Sequence, residues 1–200
     1  MLAAAQHVFA TKGYEHATVE EVADRAEFGK GTLYNYFPDG KESILFALFE
    51  DLFTGLAEIV RDHFADADHV DSRRAFRDLI ERLLQHFTDN RTTFLLLMKE
   101  VQRLMFSSES AKVRLLMAHR DLAIAELVKP IERCIDAGEM KAHPPVAIAH
   151  MLMGNVKGYL SYALSAETCY GHETDARQIL TPDQAADFIS DILFDGLLTS

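Results

Sequence analysis

The chain has 200 residues, 48% of them hydrophobic, and a formal net charge of −11 at pH 7. This length allows one large or two small domains with a buried core, and the acidic balance argues against a protein that coats nucleic acid without regard to sequence. The longest uncharged apolar run, residues 144–156, is too short to span a bilayer. Because no signal peptide is evident either, we expect a cytoplasmic protein.

Apolar residues recur at three- and four-residue spacing along the chain, and alternating strand patterns are absent, so the sequence predicts an all-α fold. The first predicted helix covers residues 2–12, and Gly13 can adopt the left-handed conformation that closes a helix. Thr18 and Glu21 have the spacing of a capping box. They place the start of the second helix at residue 19, with an end near residue 26.

A third, short helix is predicted over residues 30–37, within the sequence Gly-Lys-Gly-Thr-Leu-Tyr-Asn-Tyr-Phe. Leu33 and Phe37 lie four residues apart and form its predicted buried side, so the polar side chains face outward. A Pro-Asp-Gly break at residues 38–40 follows. Two short helices joined by a tight turn are the arrangement of a helix-turn-helix whose second helix enters a DNA major groove.

Six further helices are predicted, of which the fifth has the clearest apolar stripe. Asn90 is a candidate cap for the sixth helix, Pro130 lies inside the seventh, and Thr181 with Gln184 forms a capping box that opens the ninth. Residues 167–180 are predicted to form a loop. The apolar stripe of the fifth helix consists of Phe76, Leu79, Ile80, Leu83, Leu84 and Phe87. The other predicted spans are residues 41–64, 91–106, 110–137, 144–166 and 182–198.

The helix-turn-helix stretch resembles the N-terminal domain of the TetR family of bacterial transcriptional regulators, with a match from about residue 2 to residue 48. The resemblance implies a DNA-binding domain at 1–48 and a ligand-binding and dimerisation domain at 49–200. It also implies which residues contact DNA. The residues at family positions that approach bases or nearby phosphates are Lys30, Gly31, Thr32, Tyr34 and Asn35. The residues at family positions that contact the DNA backbone are Thr18, Tyr36 and Lys41.

The sequence departs from the family pattern in the turn and again after the third helix. Glu27 stands where the family usually has glycine, and Gly29 stands where it has a Ser or Thr cap. Either Glu27 adopts a positive φ, at a cost of about 1 kcal/mol, or the turn uses Gly29 instead. The spacing between Phe37 and Lys41 is one residue longer than the commonest one, which could move Lys41 away from its phosphate.

Residues 1–50 contain four basic and eight acidic residues, a net charge of −4. Binding to DNA would therefore depend on local geometry, and non-specific affinity would be low. This charge keeps open an alternative function, a helical adaptor that binds another protein and has lost DNA binding. A second alternative concerns Tyr34 and Tyr36, which could plug the small core rather than contact DNA.

Helices five to seven carry methionine and phenylalanine side chains that could line an adaptable apolar pocket. The same residue types also fill ordinary cores, and the pattern does not separate the two. The resemblance, rather than the pattern, implies a small-molecule inducer. The candidate pocket residues are Phe87, Phe94, Met98, Met105, Phe106 and Met117.

The eighth predicted helix has one face of small and polar residues and an opposite apolar face. Two glycines on the first face would permit close approach of another helix. The resemblance implies that the last two helices form a homodimer interface, and the alternative is a tight contact within one chain. The candidate interface residues are His150, Gly154, Lys157, Gly158 and Ser161.

The sequence contains no catalytic, nucleotide-binding or metal-binding motif. We therefore expect neither an enzyme nor a bound cofactor or metal. The predicted partners are double-stranded DNA, a small-molecule inducer and a second copy of the chain. The predicted function is ligand-responsive control of transcription, most often repression, by a dimer on a pseudo-palindromic operator.

Overall fold

A computed structural model describes residues 1–65, 71–106, 110–170 and 179–195. Within these residues it contains nine α-helices and no strand, which confirms the predicted all-α fold. None of these helices combines the length and apolar character that crossing a membrane requires. The helices are α1 (Leu2–Lys12), α2 (Val19–Arg25), α3 (Lys30–Tyr36), α4 (Lys41–His63), α5 (Ser72–Asp89), α6 (Arg91–Met105), α7 (Ser110–Asp136), α8 (Pro145–Tyr170) and α9 (Pro182–Phe194).

The predicted ends of α1 to α4, α6 and α7 are correct to within one residue. The predicted loop at 167–180 is wrong at its start, because α8 continues to Tyr170. Residues 167–170 contain no glycine or proline that would end a helix, and residues 171–178 lie outside the described part. Asn90 occupies the predicted N-cap of α6, but its side chain makes no cap hydrogen bond. The described part of α9 ends at Phe194 rather than at the predicted residue 198.

The described chain divides into two compact units. The first contains residues 1–54 and 90–120, and the second contains residues 55–89 and 121–200 apart from the segments that are not described. The predicted DNA-binding domain, residues 1–48, lies inside the first unit. The proposed boundary at residue 48 stays a prediction.

The first unit is held together by contacts of α1 with α2 and α6, and of α2 with α3. Phe9 of α1 is buried and meets the ring of Tyr14 edge-on, with 5.3 Å between ring centroids. Gly13 has a positive φ, +77°, but its ψ of 149° differs from the left-handed helical conformation that the sequence predicts; its N–H donates to the Phe9 carbonyl. Between α1 and α6, the Gln6 amide donates to the buried Thr93 hydroxyl over 2.6 Å. This bond gives the buried Thr93 hydroxyl a hydrogen-bond partner, without which its burial would destabilise the fold.

The second unit is organised around α5, which packs against α8 and α9. All six residues of the predicted apolar stripe on α5 are buried. The predicted capping box of α9 is present, with Thr181 accepting from the Gln184 N–H and Pro182 at the first helical position. Gly55 of α4 lies against the His86 ring, and a Cβ added there would be 2.6 Å from His86 Cε1. The two helices approach closely at this point because residue 55 has no side chain.

Two arginines of α5 join that helix to α9. Arg73 donates to Asp191 over 2.7 Å and to Asp195 over 2.6 Å. Arg77 donates to Asp187 over 2.7 Å and also contacts Asp183. These aspartates recur every four residues and so lie on one side of α9. Hydrogen bonds to Asp187 and Asp183 raise the pKa of the Arg77 guanidinium further above its usual range, so the charge is permanent.

Candidate nucleic-acid interface

The turn between α2 and α3 is closed by backbone hydrogen bonds. The Phe28 N–H donates to the Ala23 carbonyl over 3.0 Å, and the Glu27 N–H donates to the Asp24 carbonyl over 3.2 Å. This pair of bonds is a Schellman motif, which requires a left-handed residue at its centre. Glu27 is that residue, with φ +57°, whereas Gly29 has φ −64°. The turn therefore uses Glu27, and the missing glycine is replaced at a cost of about 1 kcal/mol.

The start of α2 is fixed by the predicted capping box. The Thr18 hydroxyl accepts from the Glu21 N–H, and the Glu21 carboxylate accepts from the Thr18 N–H over 3.1 Å. Lys12 forms an ion pair with the same carboxylate. Hydrogen bonding from Lys12, followed by the backbone bond from Thr18, lowers the pKa of Glu21. Thr18 itself is exposed at the N-terminal end of α2, and its predicted contact with the DNA backbone stays a prediction.

Helix α3 is anchored by Leu33, whose side chain is completely buried. Phe37, the second predicted anchor, is half-buried. The outward face of α3 consists of Lys30, Gly31, Thr32, Tyr34, Asn35 and Tyr36, all of which are exposed. The structure therefore brings the predicted base-contacting residues together on one open surface. A Cβ added at Gly31 would meet nothing within 4 Å, so another molecule can approach the backbone there.

The two tyrosines differ in their surroundings. Tyr36 is 66% exposed and does not plug the core. Tyr34 is 39% exposed, and one edge of its ring lies 3.6 Å from the position that a Cβ on Gly40 would occupy. Gly40 has φ +65°, and a Cβ added there would also lie 3.2 Å from Val19 Cγ2. A side chain at residue 40 would therefore be strained both by the backbone conformation and by the close contact.

The cation at the start of α3 is paired within the chain. The Lys30 amine forms an ion pair with the Glu20 carboxylate of α2 and lies 5.9 Å from the centroid of the Tyr34 ring. The hydrogen bond between Lys30 and Glu20 raises the pKa of Lys30 and lowers that of Glu20. Both side chains are more than half exposed, so a phosphate could displace Glu20 at small cost.

Lys41, at the start of α4, has a different environment. Its amine donates to the carbonyls of Tyr14, Glu15 and Ala17 over 2.9, 2.8 and 3.3 Å. It also lies 4.9 Å from the centroid of the Tyr14 ring. An ammonium has three hydrogens, so these carbonyls use its whole donor capacity. The structure shows Lys41 tying α4 to the segment between α1 and α2, and its predicted phosphate contact stays a prediction.

Replacing Lys41 with methionine should therefore destabilise the chain by about 1–3 kcal/mol, because hydrogen bonds from charged donors are lost at three carbonyls. The measurement is urea unfolding followed by circular dichroism. Lys99→Met, which removes an exposed lysine of the same unit, is the matched control and should change stability by about 0.5 kcal/mol or less. Equal stability of the two variants would show that the carbonyl contacts contribute nothing.

Comparison with known proteins agrees with this geometry. The family model for bacterial regulatory proteins of the tetR family matches residues 1–48. The HTH-type transcriptional regulator YfiR of Bacillus subtilis is 26% identical over 82% of this chain and 78% of its own length. Residues 1–48 thus form a helix-turn-helix domain of the TetR family.

Two solved structures show the same fold over almost all of this chain. FadR from Bacillus subtilis, in complex with stearoyl-CoA, has a TM-score of 0.78 at 17% identity and covers 98% of this chain and 96% of its own. The fatty acid degradation regulator FadR from Bacillus halodurans has a TM-score of 0.77 at 16% identity and covers 96% and 91%. The family model and the relative YfiR identify the protein as a transcriptional regulator with a DNA-binding helix-turn-helix, and the expectation that it is not an enzyme agrees with them.

The candidate inducer-pocket residues of this regulator differ in how far they are buried. Phe87 and Phe94 are buried, and Met98 and Met117 are half-buried. Phe106, at the end of α6, is 88% exposed. Met105 belongs to α6, but its side chain is outside the described part. Phe87 falls in the second unit and the others fall in the first, so the pocket stays a prediction.

The candidate dimer residues of α8 lie on an open surface. His150, Gly154, Lys157 and Gly158 are exposed, and Ser161 is half-buried. A Cβ added at either glycine would meet nothing within 4 Å. Among the described residues, neither Gly154 nor Gly158 therefore makes the tight contact within one chain that was the alternative. On the opposite face of α8, four of the five predicted apolar side chains are buried, Ala149, Leu152, Val156 and Leu160, and the fifth, Ala163, is half-buried.

Sequence reasoning missed four apolar residues that share this open surface. Met151 and Tyr162 of α8 and Phe188 and Ile192 of α9 are all exposed, and they line a groove together with both glycines. A signal for the two α9 residues was present. They lie four residues apart and directly beside the buried stripe of Ala185 and Ile189, so the apolar side of α9 is wider than a buried stripe alone requires.

Proposed function

We propose that this regulator is a dimeric repressor that binds a pseudo-palindromic operator through α3 and is released by a small-molecule inducer. The observation that supports operator binding is the surface of α3, where Lys30, Thr32 and Asn35 lie exposed on a helix anchored by Leu33. A helix of seven residues spans about 11 Å, which suits a major groove about 12 Å wide. Because its proposed target is the chromosome, we place the protein in the cytoplasm.

The acidic character of residues 1–50 determines how such binding would work. Phosphate would have to replace Glu20 as the partner of Lys30, and the helix N-terminus at Gly29 would supply further donors. Because few cations are available, we expect weak binding to random DNA and a shallow salt dependence. Discrimination would then come mainly from base contacts of α3.

Dimerisation is supported by the exposed apolar surface of α8 and α9. A monomer rarely leaves several large apolar side chains exposed on neighbouring helices. A two-fold dimer would present two copies of α3 to half-sites about one helical turn apart, or a multiple of that distance. The operator would accordingly be an inverted repeat.

The deciding experiment is selection of bound fragments from random duplex DNA by the purified full chain. We expect recovery of an inverted repeat whose half-sites are separated by about 10 base pairs or a multiple of that spacing. Recovery of no motif, together with no salt-dependent shift of operator-sized DNA, would support the protein-binding adaptor instead.

Thr32→Ala is expected to weaken binding to the selected site by about 1–3 kcal/mol, because base contacts in the major groove are typically of that size. Binding to random DNA should stay nearly unchanged. Both affinities are measured by fluorescence anisotropy at one fixed salt concentration. Thr11→Ala, an exposed threonine of α1, is the control and should bind both DNAs as the unmodified chain does. Equal losses on the two DNAs would refute a base-reading role for Thr32.

For the inducer we propose a molecule with a long acyl chain. FadR, which has the same fold, is known in complex with stearoyl-CoA. In this chain the buried Phe94 and the half-buried Met98 and Met117 supply adaptable apolar surface. The fold similarity alone does not transfer the ligand, so a direct test is needed.

Stearoyl-CoA at one hundred times its Kd should stabilise the native chain by about 2.7 kcal/mol and lower operator affinity. Thermal unfolding and anisotropy measure the two effects, with free CoA and stearate as matched half-ligands. Met98→Glu should abolish the thermal shift while the dimer and its DNA binding persist. A shift that persists in a folded Met98→Glu chain would place the ligand elsewhere, and no shift with any acyl ligand would exclude this ligand class.

A further inference from the structure

A second groove lies in the first unit, beside the helix-turn-helix. It is formed by the end of α3, the start of α4 and the start of α7, and its volume is about 710 Å³. All of its lining residues belong to the first unit. Binding sites for small molecules usually have volumes of about 300–1,000 Å³, so the groove is large enough for one. Of the candidate operator and dimer residues, Tyr36 is the one that lines it.

Carboxylates dominate the charge of this groove. Asp39, Glu42 and Glu50 line it, and Lys112 is the one lysine or arginine among the lining residues. Lys112 is already engaged, because its amine lies 2.6 Å from the Glu42 carboxylate. Asp39 accepts from the Ser43 hydroxyl, which does not neutralise its charge. The groove therefore keeps two carboxylates that no cation lining it offsets.

Aromatic and apolar surface lies beside these carboxylates. Tyr36, Phe37 and Phe46 line the groove, and none of them is buried. Leu115 of α7, also in the lining, is half exposed. An aromatic face attracts a cation placed within about 6 Å of its centroid, and the attraction increases when the cation is partly desolvated. Such a surface also accepts the apolar substituents of a ligand.

We propose that this groove binds an organic cation that carries aromatic or bulky apolar substituents. The carboxylates would attract the positive charge, and the aromatic rings would contact both the charge and the substituents. An anion of the same shape would be repelled by Asp39 and Glu50, and a neutral molecule would lose the electrostatic part of the binding. The proposal does not depend on operator binding or on the acyl ligand, since Tyr36 is the one candidate operator residue in the lining and none of the candidate inducer-pocket residues with a described side chain is part of it.

The chain contains no tryptophan, so a single introduced one reports on its own surroundings alone. We would place it in the groove with Leu115→Trp and use Leu122→Trp, an exposed residue of α7 outside the groove, as the control reporter. The full-length protein is titrated with tetraphenylphosphonium at pH 8. We expect saturable quenching at residue 115 and none at residue 122. Tetraphenylborate, which has the same shape and the opposite charge, should give no saturable signal at residue 115.

Two substitutions then test the groove residues by isothermal titration calorimetry in the chain without tryptophan. Glu50→Gln and Phe46→Leu should each weaken tetraphenylphosphonium binding by about two- to fivefold, the range of a single exposed cation–aromatic or charge contact. Glu58→Gln removes an exposed carboxylate of α4 outside the groove and should leave the affinity unchanged. Equal binding of tetraphenylborate, equal quenching at both reporters, or unchanged affinity in a Glu50→Gln/Phe46→Leu double variant would overturn the proposal.

Discussion

Replacing Leu33 with alanine is expected to destabilise the helix-turn-helix by about 2–5 kcal/mol, the usual cost of removing a large buried aliphatic side chain. Leu33 is 0% exposed and is the one fully buried residue of the seven-residue α3. A helix this short is not stable by itself in water, so packing must hold it in place. Losing its anchor should detach α3 and abolish operator binding as well.

The measurement is urea unfolding by far-ultraviolet circular dichroism, combined with anisotropy on the selected operator. Thr32→Ala is the matched control because it changes the neighbouring, exposed residue. It should lower operator affinity without lowering stability, whereas Leu33→Ala should lower both. If the Leu33→Ala chain unfolds at the same urea concentration as the unmodified chain, α3 is not anchored as the structure shows.

The second large effect is expected from Gly158→Leu, which should dissociate the proposed dimer at micromolar concentration. Within one chain, a Cβ at residue 158 meets nothing within 4 Å, so the described residues offer no steric resistance to a leucine. Any overpacking must therefore come from a second copy of the chain. Inserted methylenes in a tight contact typically cost about 1–3 kcal/mol, and the two-fold axis makes the change occur twice in each dimer.

Sedimentation velocity measures the association state, and thermal unfolding of the monomer shows whether the fold survives. Gly158→Ala is the control, since it adds helix propensity but only one methyl group. It should remain dimeric. A Gly158→Leu chain that stays dimeric at unchanged stability would place the interface away from this face of α8, and the exposed Phe188 and Ile192 would then need another explanation.

Much of the secondary structure and the helix-turn-helix could be predicted from the sequence, because the signals are local. The capping boxes at Thr18 and Thr181 each involve residues three apart, and Gly13 ends α1 through its own φ. The apolar stripe of α5 repeats with the helical period. The outward face of α3 follows from the same period once Leu33 is taken as its buried side.

The tertiary structure decided the features that join residues far apart in sequence. Arg77 meets Asp187 across 110 residues, and the Lys41 amine reaches carbonyls 24 to 27 residues earlier. Such partners depend on the path of the chain rather than on any local pattern, so helical periodicity does not identify them.

Backbone conformation in the turn was also decided by packing. The sequence left two residues as candidates for the special position, and the Schellman hydrogen bonds at the end of α2 require a positive φ at Glu27, although glycine would adopt it at lower cost. The groove between α4 and α7 has the same origin as the distant ion pairs. Its carboxylates and rings belong to ordinary amphipathic helices, and only folding places Glu42 beside Lys112 and gives that surface a net negative charge.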